Sequence, residues 1–283
     1  MKTILITGGS GFIGKNLIEN FDGKYNVLHP SHKELDLLST ADVDVFFEKN
    51  KIDIVIHCAL VGGSRPEEKE NDSTYQNLKM FFNILKNKKY FKKMIYLGSG
   101  AEYDKSKPIV GVKEEDFGKT IPNDEYGFFK YICSKSIEKQ DNVVSLRIFG
   151  LFGKYEDYRY RFISNAICQN ISGSPITINQ NVFFDYVYID DFVKIVDYFI
   201  NNQAKHKFYN IGTGKKIDLL SIANLINDVT DKKSEIVVKN DGLNNEYSCD
   251  NDRLMSELGG FKFTEIEDSI KSLYGWYKNT NRK

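Results

Sequence analysis

Residues 2–14, Lys2-Thr3-Ile4-Leu5-Ile6-Thr7-Gly8-Gly9-Ser10-Gly11-Phe12-Ile13-Gly14, decide the fold. Ile4-Leu5-Ile6 is a short apolar run that reads as a buried strand. It runs into a turn carrying Gly8, Gly9, Gly11 and Gly14. The segment from Phe12 to Ile18 then reads as a helix. Strand, glycine turn and helix in that order form the dinucleotide-binding element of an open parallel sheet. The turn is tight, its backbone approaches a pyrophosphate closely, and the helix N-terminus offers free N–H groups and partial positive charge. Side chains at Gly8 and Gly11 would obstruct that approach. Such a glycine pattern gains specificity when a strand precedes it and a helix follows, as here.

Working outward, strand and helix signals alternate through the first half. Strand-like runs cover 3–7, 25–29, 53–57, 94–98 and 143–148, and helical patterns fill 12–20, 40–49, 72–88 and 124–139. Repeated βα units predict a doubly wound parallel sheet of Rossmann type. After residue 150 the pattern loosens. Residues 155–183 are aromatic and Asn-rich, 182–189 reads as a strand, and 190–201, 218–229 and 266–277 read as helices. The loop 241–245 is polar. The expected organisation is α/β: a dinucleotide-binding domain of residues 1–153 plus roughly 182–212, and a smaller α+β substrate-binding domain of roughly 154–181 and 213–283.

The bulk composition narrows the function. The 283 residues carry 39 Lys+Arg against 39 Asp+Glu, a formal net charge of zero, which argues against a nucleic-acid partner. The run Lys86, Lys88, Lys89, Lys92, Lys93 is locally basic and reads as the solvated C-terminal end of a helix. Cys58, Cys133, Cys168 and Cys249, like His29, His32, His57 and His206, lack metal-ligand spacing, so no metal site is read and free thiols are expected. The start has no signal-peptide pattern, and no apolar stretch is long enough to span a bilayer. A cytoplasmic protein without a membrane partner is the expectation.

Ligands of such sheets sit beyond the carboxyl ends of the strands. The run 94–98 leads into Ser99-Gly100-Ala101-Glu102-Tyr103, and Tyr126-Gly127-Phe128-Phe129-Lys130 follows. Tyr and Lys at i and i+4 are about 40° apart on a helix and point the same way. A phenol is a poor acid at neutral pH, but a nearby ammonium favours the phenolate. Tyr, Lys and a hydroxyl donor together form a proton-transfer unit for a carbonyl/alcohol pair. The spacing recurs five times: Tyr75/Lys79, Tyr103/Lys107, Tyr126/Lys130, Tyr131/Lys135 and Tyr274/Lys278. Tyr126 and Tyr131 share one expected helix but differ by about 140° around it, so one of them faces the cofactor. Tyr126 lies in the first turn after Pro122, near the strand ends, and is chosen; Tyr131/Lys135 is the rival.

The ordered set Thr7-Gly8-Gly9-Ser10-Gly11-Phe12-Ile13-Gly14, Glu34-Leu35-Asp36-Leu37, His57-Cys58-Ala59, Ser99 and Tyr126-Gly-x-x-Lys130 resembles the extended short-chain dehydrogenase/reductase family. Leu146 to Gly153, Asp185 to Asp191 and Tyr209 to Gly214 resemble its later segments, so the likeness spans nearly the whole chain. It implies Tyr126 as the acid/base, Lys130 as the residue that holds the nicotinamide ribose and tunes Tyr126, and Ser99 as a donor to the reacting oxygen. Gly8, Ser10, Gly11, Phe12, Ile13 and Gly14 would bind the dinucleotide, with Asp36 and Leu37 bordering the adenine, Cys58 and Ala59 lining the cofactor, and Asn77 near the active site. Within the family, Val61-Gly62-Gly63 with Tyr75-Gln76-Asn77 and the Glu34-Leu38 stretch resemble sugar-nucleotide enzymes of the GDP-fucose synthase and deoxysugar reductase kind. A homodimer formed through the helices of 72–88 and 124–139 is implied; Phe81, Phe82, Phe128 and Phe129 could fill its seam or equally be core, the commoner place for helix aromatics.

Departures from the family pattern narrow the reaction. Sugar-nucleotide 4,6-dehydratases carry an Asp-Glu pair where this chain has Gly100 and Ala101, so elimination of water lacks its acid and base. The epimerising cysteine of GDP-fucose synthase also falls on Ala101, and residues 155–165 hold no histidine to serve as its partner. Reduction at a 4-keto group or 4-epimerisation remains. Residues 28–33, Leu-His-Pro-Ser-His-Lys, place no acid at the end of the second strand, where one would bind a ribose 2′-OH. Ser31, His32 and Lys33 could instead receive a 2′-phosphate, so NADPH is favoured over NAD. Phe184 stands where many relatives place a diphosphate-holding Arg, and Gly150 where they place an Asn. Lys154, Arg159 and Arg161 would then hold the diphosphate of a nucleotide-diphosphate sugar, with Gly100 and Ala101 beside the sugar. The reading is an NADPH-dependent 4-ketoreductase of a nucleotide-linked (deoxy)sugar. The alternatives are an NAD-dependent 4-epimerase and, in another class, a dinucleotide-binding regulatory protein without chemistry.

Overall fold

The computed structural model describes residues 1–62 and 73–280. The chain opens with β1 (Thr3–Thr7), α1 (Phe12–Phe21), β2 (Asn26–Leu28), α2 (Thr40–Lys49), β3 (Ile54–His57), α3 (Ser73–Lys86), β4 (Lys93–Ser99), β5 (Ile109–Val112), α4 (Glu125–Ile137) and β6 (Val143–Ile148). It continues through β7 (Gly150–Phe152), α5 (Phe162–Ser172), β8 (Ile176–Asn181), β9 (Phe183–Tyr188), α6 (Ile189–Asn201), β10 (Phe208–Ile211), β11 (Lys216–Asp218), α7 (Leu219–Val229), β12 (Ile236–Leu243), β13 (Tyr247–Cys249), α8 (Asp252–Leu258) and α9 (Ile266–Thr280).

The main sheet is six-stranded with order β10-β6-β4-β3-β1-β2, and every pair in it is parallel. Its strands are short apolar runs because both faces are covered. Along β1, Ile4 and Ile6 point into one core and Leu5 into the other; Ile54, Ile56 and Val55 repeat the division on β3. Strand order reverses at β1, with β2 on one side and β3 on the other. That reversal opens a crevice beyond the carboxyl ends of β1 and β3.

A second sheet has the order β11-β9-β13-β5, with β7 also pairing β9, and β8 pairs with β12 separately. Strands 109–112 and 183–188 therefore pair in the smaller sheet, whereas sequence order had assigned both to the dinucleotide-binding part. Each pairs there with residues that follow 210: β5 with β13, and β9 with β11 and β13. Of these four phenylalanines on the two helices, Phe81 and Phe129 are core residues, while Phe82 and Phe128 face outward.

Candidate active site

The glycine turn is built for close approach. Gly8 has φ +68°, and a Cβ there would lie 2.7 Å from the Ala59 backbone on the neighbouring strand end. A Cβ on Gly14 would lie 2.3 Å from the Gly8 carbonyl, so these two glycines let the turn close on itself and on β3. Gly11 differs: its Cβ would meet only the Gly8 carbonyl, at 3.4 Å, which leaves open space above the turn. The hydroxyl of Thr7 bonds His57 Nδ1 (2.8 Å) and accepts from the Ala59 N–H (3.2 Å), tying the ends of β1 and β3 together. Burial, reinforced by the Lys130 charge, pushes His57 down to about 3, so its ring is neutral. Burial pushes the Cys58 thiol up to about 12.

The N-terminus of α1 has no side-chain cap and no acid in its first turn. By contrast Ser39, Asp124 and Asp218 cap α2, α4 and α7. An uncapped N-terminus above an open turn suits a pyrophosphate, because its N–H groups have no internal partner. The residues present therefore fit a dinucleotide. After β2, the Ser31 N–H and hydroxyl both donate to Glu34 Oε2 (2.7 and 2.8 Å). His32 Nε2 lies 3.8 Å from Asp36 Oδ1. Lys33 is exposed. Asn77 is buried, and its amide clasps both the N–H and the carbonyl of Val61, so it holds the loop that follows β3. Gly63, the last residue of the Val61-Gly62-Gly63 motif, lies outside the described residues.

At the next strand end, β4 delivers Ser99 and α4 delivers Tyr126 and Lys130. Asp124 accepts from the Gly127 N–H (2.9 Å) and starts α4 where Tyr126 falls in its first turn. Lys130 is buried. Its ammonium donates to the Leu97 carbonyl and lies 4.8 Å from the Tyr96 ring and 5.9 Å from the Tyr126 ring. Tyr131 instead packs on Phe117 (5.0 Å), and Lys135 bonds Glu138. The rival pair therefore faces away from the end of β4.

Beneath Ser99 lies a network the sequence reading missed. Glu102 is fully buried; it accepts from the Ser99 N–H (3.0 Å), from Ser134 Oγ (2.6 Å) and from Arg147 Nε (2.7 Å). Arg147 also donates to Tyr103 Oη (3.1 Å), which donates to Asn210 Oδ1 (2.8 Å), and the guanidinium lies 4.2 Å from the Phe117 ring. Buried charges persist when paired and hydrogen-bonded in this way. The available signal was Ser99-x-x-Glu102, a capping-box spacing that the structure realises around the turn 100–103. Glu102 is the first carboxylate after Ser99, and its commitment to Arg147 removes it from acid–base work.

Gly100 and Ala101 form the buried floor beside Ser99. Lys154 pairs with Glu19 of α1 (2.6 Å), and Arg159 makes a two-pronged pair with Asp157 (2.9 and 2.7 Å). Arg161, the residue before α5, makes no ion pair among the described residues, and its charge acts on Glu156 and Tyr186. From the floor outward runs an aromatic wall: Phe149 against Tyr247 (4.9 Å), Tyr247 against Phe184 (5.8 Å) and Phe184 against Tyr186 (5.5 Å). Among the described residues no cluster of three metal-ligating side chains occurs, and no helix is long and apolar enough to cross a membrane.

A model of the NAD dependent epimerase/dehydratase family matches residues 4–212. The chain belongs to this family. Among family relatives it is similar to an ADP-L-glycero-D-manno-heptose-6-epimerase of Brachyspira hyodysenteriae, 26% identical with 86% of each chain covered. It is also similar to a GDP-L-colitose synthase of Yersinia pseudotuberculosis, 23% identical over 98% of each. In fold it matches a GDP-mannoheptose C4 reductase from Campylobacter jejuni with NADP bound, at TM-score 0.79, 24% identity and 98% coverage of each chain. A GDP-L-fucose synthetase from Naegleria fowleri superposes at TM-score 0.84 with 18% identity, over 100% of this chain and 95% of that one. The epimerase/dehydratase match agrees with the fold expected from residues 2–14.

Proposed function

We propose that the protein reduces the C4 keto group of a nucleotide-linked (deoxy)sugar with NADPH. The observation that carries this reading is the convergence of Ser99, Tyr126 and Lys130 at the end of β4, on a floor (Gly100, Ala101) that lacks an acid and a base. Bound, the cofactor supplies the hydride. Tyr126 gives its proton to the oxygen that becomes the alcohol, within the reach of a near-attack pose. Ser99 donates to the same oxygen as charge develops on it, and the buried Lys130 ammonium stabilises that charge from beneath. Gly8, Ser10, Gly11, Phe12, Ile13 and Gly14 cradle the pyrophosphate. Asp36 and Leu37 border the adenine, and Cys58, Ala59 and the Asn77-held loop flank the dinucleotide.

The preference for NADPH rests on the loop after β2. Glu34 occupies both donors of Ser31, which leaves His32 and Lys33 as the side chains open to a 2′-phosphate. Names of relatives that act on GDP- and ADP-linked sugars support a nucleotide-diphosphate sugar as substrate, with Arg161 as the cation free to meet it and Lys154 and Arg159 behind it. Soluble, cytoplasmic and dimeric behaviour, through Phe82 and Phe128 on α3 and α4, completes the proposal. One observation favours the NAD-dependent 4-epimerase: Glu34, held by both Ser31 donors, puts a carboxylate in the loop after β2.

The test is a fluorescence titration with NADPH and NADH, an assay for dinucleotide released on denaturation, and turnover of GDP- and dTDP-linked 4-keto-6-deoxyhexoses. Tyr126→Phe should retain NADPH binding and lose turnover by about 10²–10⁴-fold. Tightly retained NAD would instead identify the epimerase, and near-normal turnover in the variant would sink the assignment of Tyr126. Dinucleotide binding with no turnover of any ketosugar would identify the regulatory alternative.

A further inference from the structure

Ser99 and the pair Tyr126/Lys130 come from two separate elements, β4 and α4, so their spacing depends on how that helix is docked. Gly127, Lys130 and Ser134 lie on one stripe of α4, because residues three, four and seven apart share a helix face. The stripe meets β4 and the turn 100–103 that follows it. At Gly127 the approach is close: a Cβ there would lie 2.7 Å from the Ala101 carbonyl oxygen. At Lys130 the ammonium donates to the Leu97 carbonyl, two residues before Ser99. At Ser134, one turn further on, the hydroxyl donates to Glu102 Oε2 (2.6 Å).

Glu102 completes the link. Its other oxygen, Oε1, accepts from the Ser99 N–H (3.0 Å), so one carboxylate reaches from Ser99 to the helix. Arg147 Nε of β6 also donates to Oε2 (2.7 Å), which fixes the carboxylate's orientation from a third element. Glu102, Ser134 and Arg147 are all fully buried. Away from water, a satisfied network of this kind is rigid and specifies one arrangement of the groups it joins. Ser99 is held a second time in the same turn, its hydroxyl accepting from the Ala101 N–H (3.1 Å).

We propose that Glu102 is a positioning residue: through Ser134 it holds the Tyr126–Lys130 stretch of α4 in register with Ser99. This rests on the reductase reading above. The role runs through Ser99 and α4 and needs no contact with cofactor or reacting atoms. Side chains from two elements have to meet one carbonyl oxygen, and a misplacement of about 1 Å in such a set costs up to about a hundredfold in rate.

The test uses Ser134→Ala in the full chain, because this one-atom truncation cuts the tie to α4 and leaves Glu102 bonded to Arg147 and to the Ser99 N–H. With saturating NADPH and a GDP-linked 4-keto-6-deoxyhexose, or the dTDP-linked one if that is the better substrate, kcat should fall about tenfold. KM for the ketosugar and Kd for NADPH should stay within about twofold, since the glycine turn and the aromatic wall are untouched. In a Ser99→Ala background the same substitution should cost less than about twofold, because register with the missing hydroxyl no longer matters. Ser269→Ala is the control: that serine is equally buried and loses a hydrogen bond to the Glu265 carbonyl at the start of α9, and its kcat should match wild type. An unchanged kcat in Ser134→Ala, a tenfold loss repeated in the Ser99→Ala background, or an equal loss in Ser269→Ala would overturn the proposal and leave the reductase reading standing. A wild-type chain that binds NADPH but reduces neither 4-ketosugar would overturn both.

Discussion

Replacing Glu156 by Gln should make the protein's stability less sensitive to pH. Glu156 is 6% exposed; its Oε1 accepts from Ser164 Oγ, and its Oε2 has no partner among the described residues. Burial pushes its carboxyl up from 4.5 to about 7, with Ser164 and Arg161 pulling weakly the other way. The folded state thus holds this proton more tightly than the unfolded chain. The stability that the neutral acid contributes is fully present below pH about 4.5 and is lost as pH rises through about 7. The rise from 4.5 to about 7, at about 1.4 kcal/mol per pH unit, amounts to about 3.4 kcal/mol. About 2.5 kcal/mol of that loss develops between pH 5 and pH 8. The glutamine does not titrate, so the stability difference between Glu156→Gln and wild type should move in the variant's favour by about 2.5 kcal/mol over that interval. At about 2 °C per kcal/mol for a chain of this size, the melting temperatures should diverge by about 5 °C. The absolute offset is not diagnostic, because the amide leaves one group at the Oε2 position unpartnered just as the acid does. Urea unfolding of ligand-free protein at four pH values between 5 and 8 reads the slope. Parallel curves for the two proteins, constant within about 0.5 kcal/mol, would refute the assignment of a buried, proton-holding Glu156.

Gly8→Ala and Gly11→Ala should separate folding from binding: the first, at φ +68° and against the Ala59 backbone, should destabilise the fold by more than about 1 kcal/mol, and the second should melt like wild type but bind NADPH more weakly. Thermal melts and NADPH titration of both variants check this; equal melting temperatures would be the contrary result. Glu102→Ala strands a buried guanidinium and should cost about 3–5 kcal/mol in denaturant unfolding; a loss under about 1 kcal/mol would show that Arg147 finds other partners. Lys33→Ala should raise the Kd for NADPH several-fold and leave that for NADH unchanged, since a cation there meets only the 2′-phosphate; an equal effect on both would remove Lys33 from the site.

The first half of the chain was legible because its signals are local. β1, the glycine turn and α1 are contiguous, and the apolar runs of β3, β4 and β6 are long enough to declare buried strands. Facing geometry separated Tyr126 from Tyr131 for the same reason, since both lie on one helix whose start Asp124 marks. The smaller sheet was not legible. β5 is four residues long and contains Gly111 at φ +53°, which breaks any strand pattern. Its partner β13 is three residues long and lies far downstream. In β12 the Asp241-Gly242 pair reads as a turn, and the structure answers with Gly242 at φ +78° and a register shift between Asn240 and Leu243. The turn chemistry was therefore recognised, but as a loop instead of an irregular strand. Tyr247 could not be found from sequence, because only the pairing of β13 with β9 and β5 brings its hydroxyl over Gly100.

That pairing also sets an order in time. Ile109 of β5 hydrogen-bonds the Glu246 carbonyl (2.8 Å), closing a loop of more than a hundred residues. During synthesis at about 5–20 residues per second, β5 waits roughly ten seconds or longer for its partner to leave the ribosome. The strands of the glycine-turn crevice, β1 to β4, are complete by residue 99 and can pair early, as contacts near in sequence do. The crevice strands can therefore be in place well before the space above Gly100 receives Tyr247, its last wall, which closes only after β13 has emerged.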